Sequence, residues 1–313
     1  MKVFVPMLAA HAGIGDHELL EKDVRMHLLL GALVSEPTTG PELIFKGGTC
    51  LIKCYLDYPR FSADLDFTWR PVEAWEALGT KELRRALRPV KRSFLGKLKE
   101  HTVAQGLDFD IARDIQYGQS NRMMTALLRY ESIARLPGLI KVQINFAEPL
   151  LFPTASLEAR GLLGTRLPAA MTLLDSDLPQ RYARPVRLHA YDAREILAEK
   201  GRAILTRQAA KTRDIVDLFL LEARLGLRIE DHADAVEAKT KTAIERAQRY
   251  REHMELAQDR LNLLKEEDVR PLLLKPLNEE GFRAYRERAL GVLAELARKL
   301  QRTMDRRKYP HSG

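Results

Sequence analysis

Asp64 and Asp66 lie two apart in the run RFSADLDFTW, which spans Arg60 to Trp69. In a strand, residues i and i+2 point to one side, so both carboxylates face one way and Leu65 and Phe67 the other. Like charges held side by side are destabilising by themselves, so the pair calls for a partner of opposite sign. Divalent metal ions are such a partner. Two ions ~3.5–4 Å apart can activate an attacking hydroxyl and stabilise a leaving pyrophosphate, which is the chemistry of nucleotidyl transfer. About sixteen residues earlier stand Gly47 and Gly48. They read as a tight turn that exposes backbone N–H groups at a helix N-terminus, where a phosphate can sit. Asp-x-Asp alone recurs in many strands; with the Gly-Gly turn before it the pattern is more specific.

Several elements must hold these residues in place. HELLEKDVRMHLLLGALVSE (17–36) has helical periodicity, and Pro37, Gly40 and Pro41 break it. ELIFK predicts a short strand, TCLIKCYLDY a helix ended by Pro59, and ADLDFTW the next strand. From Trp75 to Gln105 the pattern is helical, with a break expected at Pro89. LDFDIARDIQY and LLRYES alternate like strands of a meander. GLIKVQINFAEPL (138–150) is the clearest strand, with Ile140, Val142, Ile144 and Phe146 on one face. From Asp192 onward almost everything reads as helix. The expectation is an α+β chain, with a mixed-sheet domain over 1–190 and a helical bundle over 191–313.

Composition sets the limits. The 313 residues suffice for one large domain or two ordinary ones, and 45% are hydrophobic, enough for a core. No apolar run approaches the ~20 residues of a membrane span. The opening MKVFVPMLAAHAG is too brief and too broken by Pro6 for a signal peptide, so a cytoplasmic location without membrane contact is expected. Cys50 and Cys54, spaced i, i+4, are too few for a disulfide framework or a zinc site and are expected as small buried residues. The net charge is +8, unevenly spread. KELRRALRPVKRSFLGKLKE (81–100) has eight Lys or Arg against two Glu, and RKLQRTMDRRK (298–308) has six against Asp305 alone. Such clusters fit a polyanion, RNA or nucleotide, or are simply solvated helix faces. No His-x-x-x-His, Gly-x-Ser-x-Gly or Walker loop competes, and His189 is as readily structural as functional.

FKGGTCLIKCYLDYPRFSADLDF (45–67) closely resembles the first motif of the AbiEii-type abortive-infection nucleotidyltransferase toxins, of the polymerase-β-like superfamily. EILAEKGRAILTRQAAKTRDIVDLFLLE (195–222) resembles a second motif, a helical lysine followed by an Arg-Asp-x-x-Asp run. The resemblance covers about residues 40–225, in the right order. It implies a toxin of a toxin–antitoxin pair that moves a nucleotide from an NTP onto an acceptor, RNA and especially the tRNA 3′ end being favoured, so that translation is blocked. A cognate antitoxin is implied as partner and Mg2+ or Mn2+ as cofactor. By the same resemblance Gly47, Gly48 and Thr49 would hold the triphosphate and Ser62 would contact phosphate, with Arg60 orienting the loop. Asp64 and Asp66 would bind metal. Lys200 would meet the phosphates as a point charge, and Asp214 would be the working member of its pair, supported by Arg213 and Asp217. The bland readings are a solvated lysine at 200 and acids that complement a helix dipole at 214 and 217. Lys239, on a mixed-charge helix, serves as an ordinary lysine for comparison.

One departure matters. Polymerase-β-like enzymes usually carry a third carboxylate on a later strand, and the candidates here, Lys141, Gln143 and Asn145, are not acidic. Either the third acid comes from elsewhere, Asp214 being one source, or the site uses fewer metal contacts. This leaves two alternatives: nucleotidylation of a protein or small molecule, and a catalytically impaired fold that binds nucleotide or RNA.

Overall fold

The computed structural model describes residues 1–71, 74–75, 78–118, 122–174, 176–209, 211–263 and 273–308. They form two compact units, Met1–Tyr191 and Asp192–Gly313.

The first unit is built on a mixed sheet of seven strands among the described residues, in the order β3-β4-β5-β2-β1-β7-β6. These are β1 (Leu43–Lys46), β2 (Asp64–Trp69), β3 (Ile115–Tyr117), β4 (Met123–Glu131), β5 (Pro137–Asn145), β6 (Ala155–Ala159) and β7 (Val186–Ala190). β2 lies centrally, antiparallel to β1 and parallel to β5. Alternation gives β2, β4 and β5 one apolar face each. Leu65, Phe67, Val142, Ile144 and Phe146 are all at most 1% exposed, and Trp69 packs edge-on against Phe94. Helices α1 (Phe4–Ala12), α2 (His17–Val34) and α4 (Thr80–Ala104) bury Leu8, Leu20, Val24, Leu83, Leu87 and Leu98. The Asp16 side chain starts α2 by accepting the Leu19 N–H at 2.9 Å, as an N-cap should.

Three sequence expectations change here. The Gly-Gly stretch is not a separate turn: α3 (Gly47–Cys50) begins on it and runs on as a π-helical segment, Leu51–Leu56. Pro89 does not break α4, which is one helix of 25 residues, because its buried stripe packs on both sides of the proline. LDFDIARDIQY is mostly not strand; Asp110 caps a single turn, α5 (Ile111–Asp114), leaving only β3.

The second unit holds α8 (Ala193–Thr206), α9 (Thr212–Leu225), α10 (Ala233–Arg246), α11 (Gln248–Glu255), α12 (Ala257–Leu263) and α13 (Glu279–Lys308), after the short α6 (Ala169–Thr172) and α7 (Leu178–Ala183) of the first. Its core includes Ile196, Leu197, Ile215, Leu218, Leu221, Leu293 and Leu300. Phe219 meets Phe282 and Tyr285 at ring distances of 5.3 and 5.4 Å. No helix among the described residues is long and apolar enough to cross a membrane.

Candidate active site

The β2 alternation does what the spacing predicts. Leu65 and Phe67 are fully buried, and Asp64 and Asp66 are half-buried on the opposite face. In register with them on β5 stand Lys141 beside Asp64 and Gln143 beside Asp66. On the other side, Lys46 of β1 is the partner of Asp66.

Gly47 is required at its position for two reasons. Its φ is +77°, in the left-handed region that disfavours side chains. A Cβ there would also lie 2.5 Å from Asp66 Oδ2. The backbone entering α3 therefore runs directly against the Asp66 carboxylate, which any side chain would displace. Thr49 is buried; its hydroxyl donates to the Asp64 carbonyl and accepts from the Ser62 hydroxyl at 2.8 Å. These bonds tie the start of α3 to the start of β2. Arg60 is 2% exposed and donates to the Phe61 carbonyl at 2.7 Å, fixing the loop before Ser62.

Sequence reasoning missed the neighbours of this face. Glu148, three residues beyond β5, is ion-paired with Lys46. It accepts from Asn145 Nδ2 at 3.1 Å and from the Tyr191 hydroxyl at 3.3 Å, and Tyr191 in turn bonds Thr68 Oγ1 at 2.6 Å. Only an acid beyond the strand's end could have signalled it. Lys22 of α2 is a second omission. Burial pulls its ammonium down from the ordinary value, Asp64 pushes it back up, and Lys141 adds to the fall. Among the described residues no three His, Cys, Asp or Glu converge on one metal position. The donor chemistry of Asp64 and Asp66 still suits a divalent cation: two carboxylates on one face with a bare glycine backbone against one of them.

In the helical unit, Lys200 is not a solvated lysine. It is 8% exposed, and its Nζ lies 2.6 Å from both Asp214 and Asp217. Asp214 also pairs with Arg207. Burial pushes the Asp214 carboxyl up, but Lys200 and Arg207 outweigh it and hold the group below the usual carboxylate range. The pair at 214 and 217 is thus part of a buried ionic cluster and does more than complement a helix dipole. Lys239 fails as an ordinary lysine: it is 3% exposed, pairs with Glu195, and lies 3.2 Å from Glu199.

Cys50 is buried and Cys54 partly so; both are free thiols. His189 is exposed on β7. Of the basic segment on α4, Arg84, Arg85, Arg88 and Arg92 are exposed, but Lys91 is buried, its ammonium 4.9 Å from the Tyr117 ring centre and 5.0 Å from that of Phe146. Desolvation lowers Lys91 to about 8. The side chains of Arg306, Arg307 and Lys308 lie outside the described residues.

The family comparison puts the chain in a class of nucleotide-transferring toxins. Residues 28–305 match the nucleotidyl transferase AbiEii toxins of type IV toxin–antitoxin systems, and the chain belongs to that family. It is therefore a nucleotidyltransferase, and its family implies an antitoxin partner and an NTP substrate. Among solved structures it is similar to MenT4, a nucleotidyltransferase toxin from Mycobacterium tuberculosis H37Rv, with 21% identity over 93% of this chain and 89% of that one, at a TM-score of 0.54. That likeness supports the α+β fold. Comparison with curated protein sequences gives no significant match.

Proposed function

We propose that the chain transfers a nucleotide from an NTP to an RNA acceptor, using Mg2+ or Mn2+ held by Asp64 and Asp66. The observation that carries this reading is the half-buried carboxylate pair on β2 with the Gly47 backbone against Asp66. A bound divalent ion would supply charge neutralisation of the transferring phosphate. The chain's own residues do the rest. Backbone N–H groups of Gly47 and Gly48 receive the triphosphate. The Thr49–Ser62 hydrogen bond holds that backbone and β2 in a fixed relation, so Thr49 acts through position and Ser62 borders the phosphates. Within the helical unit Asp214 and Asp217 fix the Lys200 ammonium, the lysine that the motif resemblance assigns to nucleotide phosphate. The acceptor hydroxyl oxygen bonds the α-phosphorus, the bond to pyrophosphate breaks, and the hydroxyl proton passes to solvent.

RNA is favoured as acceptor by one stripe of α4. Lys81, Arg85, Arg88 and Arg92 recur at helical spacing and are all exposed, while Leu83, Leu87, Lys91, Phe94 and Leu98 form the buried side. Such a stripe meets backbone phosphates without reading sequence. A tRNA 3′ end is the acceptor expected of such a toxin. Incubation with each labelled NTP, Mg2+ or Mn2+ and total cellular RNA tests the reading. Label in a tRNA-sized band supports it; label only in protein or small molecules replaces the acceptor.

A further inference from the structure

Of the three β5 positions where a third carboxylate could stand, Lys141, Gln143 and Asn145, only Lys141 carries a charge. β2 and β5 run parallel with Asp64 opposite Lys141 and Asp66 opposite Gln143. Such partners lie ~4.8 Å apart with their side chains on one side of the sheet. Lys141 is exposed, so the core does not require its stem. Lys22 interacts electrostatically with both Asp64 and Lys141, so the two lysines and Asp64 share one corner of this face. The carboxylate of Glu148 is engaged by Lys46, Asn145 and Tyr191, and no third acid, His or Cys joins the aspartates among the described residues. Before NTP binds, two divalent ions would place four positive charges against the two carboxylates, with Lys141 on the neighbouring strand. Like charges at such range disfavour one another.

We propose that Lys141 takes the place of one metal ion: Asp64 and Asp66 hold a single divalent cation, and the Lys141 ammonium supplies the second positive charge toward the reacting phosphates. The inference rests on the assignment of the two aspartates proposed above. Bonds formed and broken are unchanged: the acceptor oxygen joins the α-phosphorus, pyrophosphate leaves with its electron pair, and the proton goes to solvent.

The test is Mn2+ binding by the full chain, followed by titration and electron paramagnetic resonance, with transfer assayed alongside. The wild type should take one Mn2+ with no metal–metal coupling, and Lys141→Glu should take two that are coupled. Lys141→Met should keep one Mn2+ but lose about a hundredfold in transfer, and Lys141→Arg should restore much of it. Two coupled ions in the wild type, a single ion in Lys141→Glu, or full-rate transfer by Lys141→Met would each overturn the proposal. Mn2+ uptake that survives Asp64→Ala and Asp66→Ala would instead overturn the assignment of the aspartates themselves.

Discussion

The carboxylates of β2 and those of the helical unit meet charge in opposite ways. Asp214 and Asp217 are 1% and 0% exposed and close on Lys200 at 2.6 Å each, with Arg207 on Asp214. The first unit has a similar buried acid in Asp23. It is 2% exposed, 2.8 Å from Lys53, and accepts the hydroxyls of Tyr58 and Tyr182 at 3.0 and 2.7 Å. A buried charge is costly unless the fold itself neutralises it, and here it does. Asp64 and Asp66 instead stand half-buried on the open side of the sheet, where an outside cation can reach them. Short acidic motifs that look alike in sequence are thus divided by burial into acids that hold the fold and acids positioned for ligand.

That division can be broken by mutation. Asp214→Ala should cost about 3–5 kcal/mol, because it removes one partner of a buried ion cluster; urea denaturation would show it. Asp64→Ala should change stability by no more than ~1 kcal/mol, relief of the like-charged neighbour offsetting the lost attraction to Lys22. Lys241→Ala, which removes a 46% exposed side chain from Glu237 and leaves Lys299 paired with that acid, should stay under ~1 kcal/mol. Equal losses for Asp214 and Asp64 would erase the contrast.

A buried base sharpens it through pH. His27 is 1% exposed and hydrogen-bonds the Arg184 carbonyl through Nε2 at 3.0 Å. Burial, with help from Lys53, lowers its pKa to about 4. The unfolded chain takes up the proton near ~6.5 while the folded chain resists it. Stability from this group is therefore complete above ~6.5 and lost as pH falls toward about 4. The loss should be about 3 kcal/mol across that window, and His27→Gln should show a smaller fall in Tm between those limits.

Gly47→Ala should cost about 1–3 kcal/mol in backbone strain and reduce transfer by displacing the Asp66 carboxylate. Gly13→Ala is the control, since Gly13 shares a positive φ of +66° with nothing near its Cβ position. Equal transfer by both variants would remove the Gly47–Asp66 contact from the site. The smallest effect is on α4. Neutralising Arg85, Arg88 and Arg92 should flatten the salt dependence of RNA binding, each lost contact reducing the slope by about 1, with NTP affinity unchanged. An unchanged slope removes that stripe from the RNA surface.

Much of the site-bearing sheet was legible because alternation is a local signal. β2 and β5 follow from DLDFTW and IKVQIN, where apolar residues recur every second position. β6 and β7 did not, since ASLEA and VRLHA are short and only weakly alternating, and strand pairing defines them. The failure at Pro89 shows packing overriding a local breaker: Leu83 and Leu87 before it and Phe94 and Leu98 after it are all fully buried. Lys91 carried a readable sign, standing four residues after Leu87 inside that apolar stripe. The ion cluster around Lys200 was legible only as a motif. Whether its charges face water or each other depends on how α8 and α9 pack, which no spacing reveals. Glu148 had only one signal, its place just beyond the end of β5, because its contacts with Lys46 and Tyr191 are remote in sequence.

Asp66 acts in chemistry and not in folding if the β2 aspartates are positioned for ligand. Wild type and Asp66→Ala should be compared in one assay of label transfer from NTP to total RNA with Mn2+, beside their Tm values. The account predicts that Asp66→Ala loses at least ~100-fold in transfer while its Tm is unchanged or higher. Transfer near the wild-type rate, or a loss of transfer matched by a collapse in Tm, would contradict it.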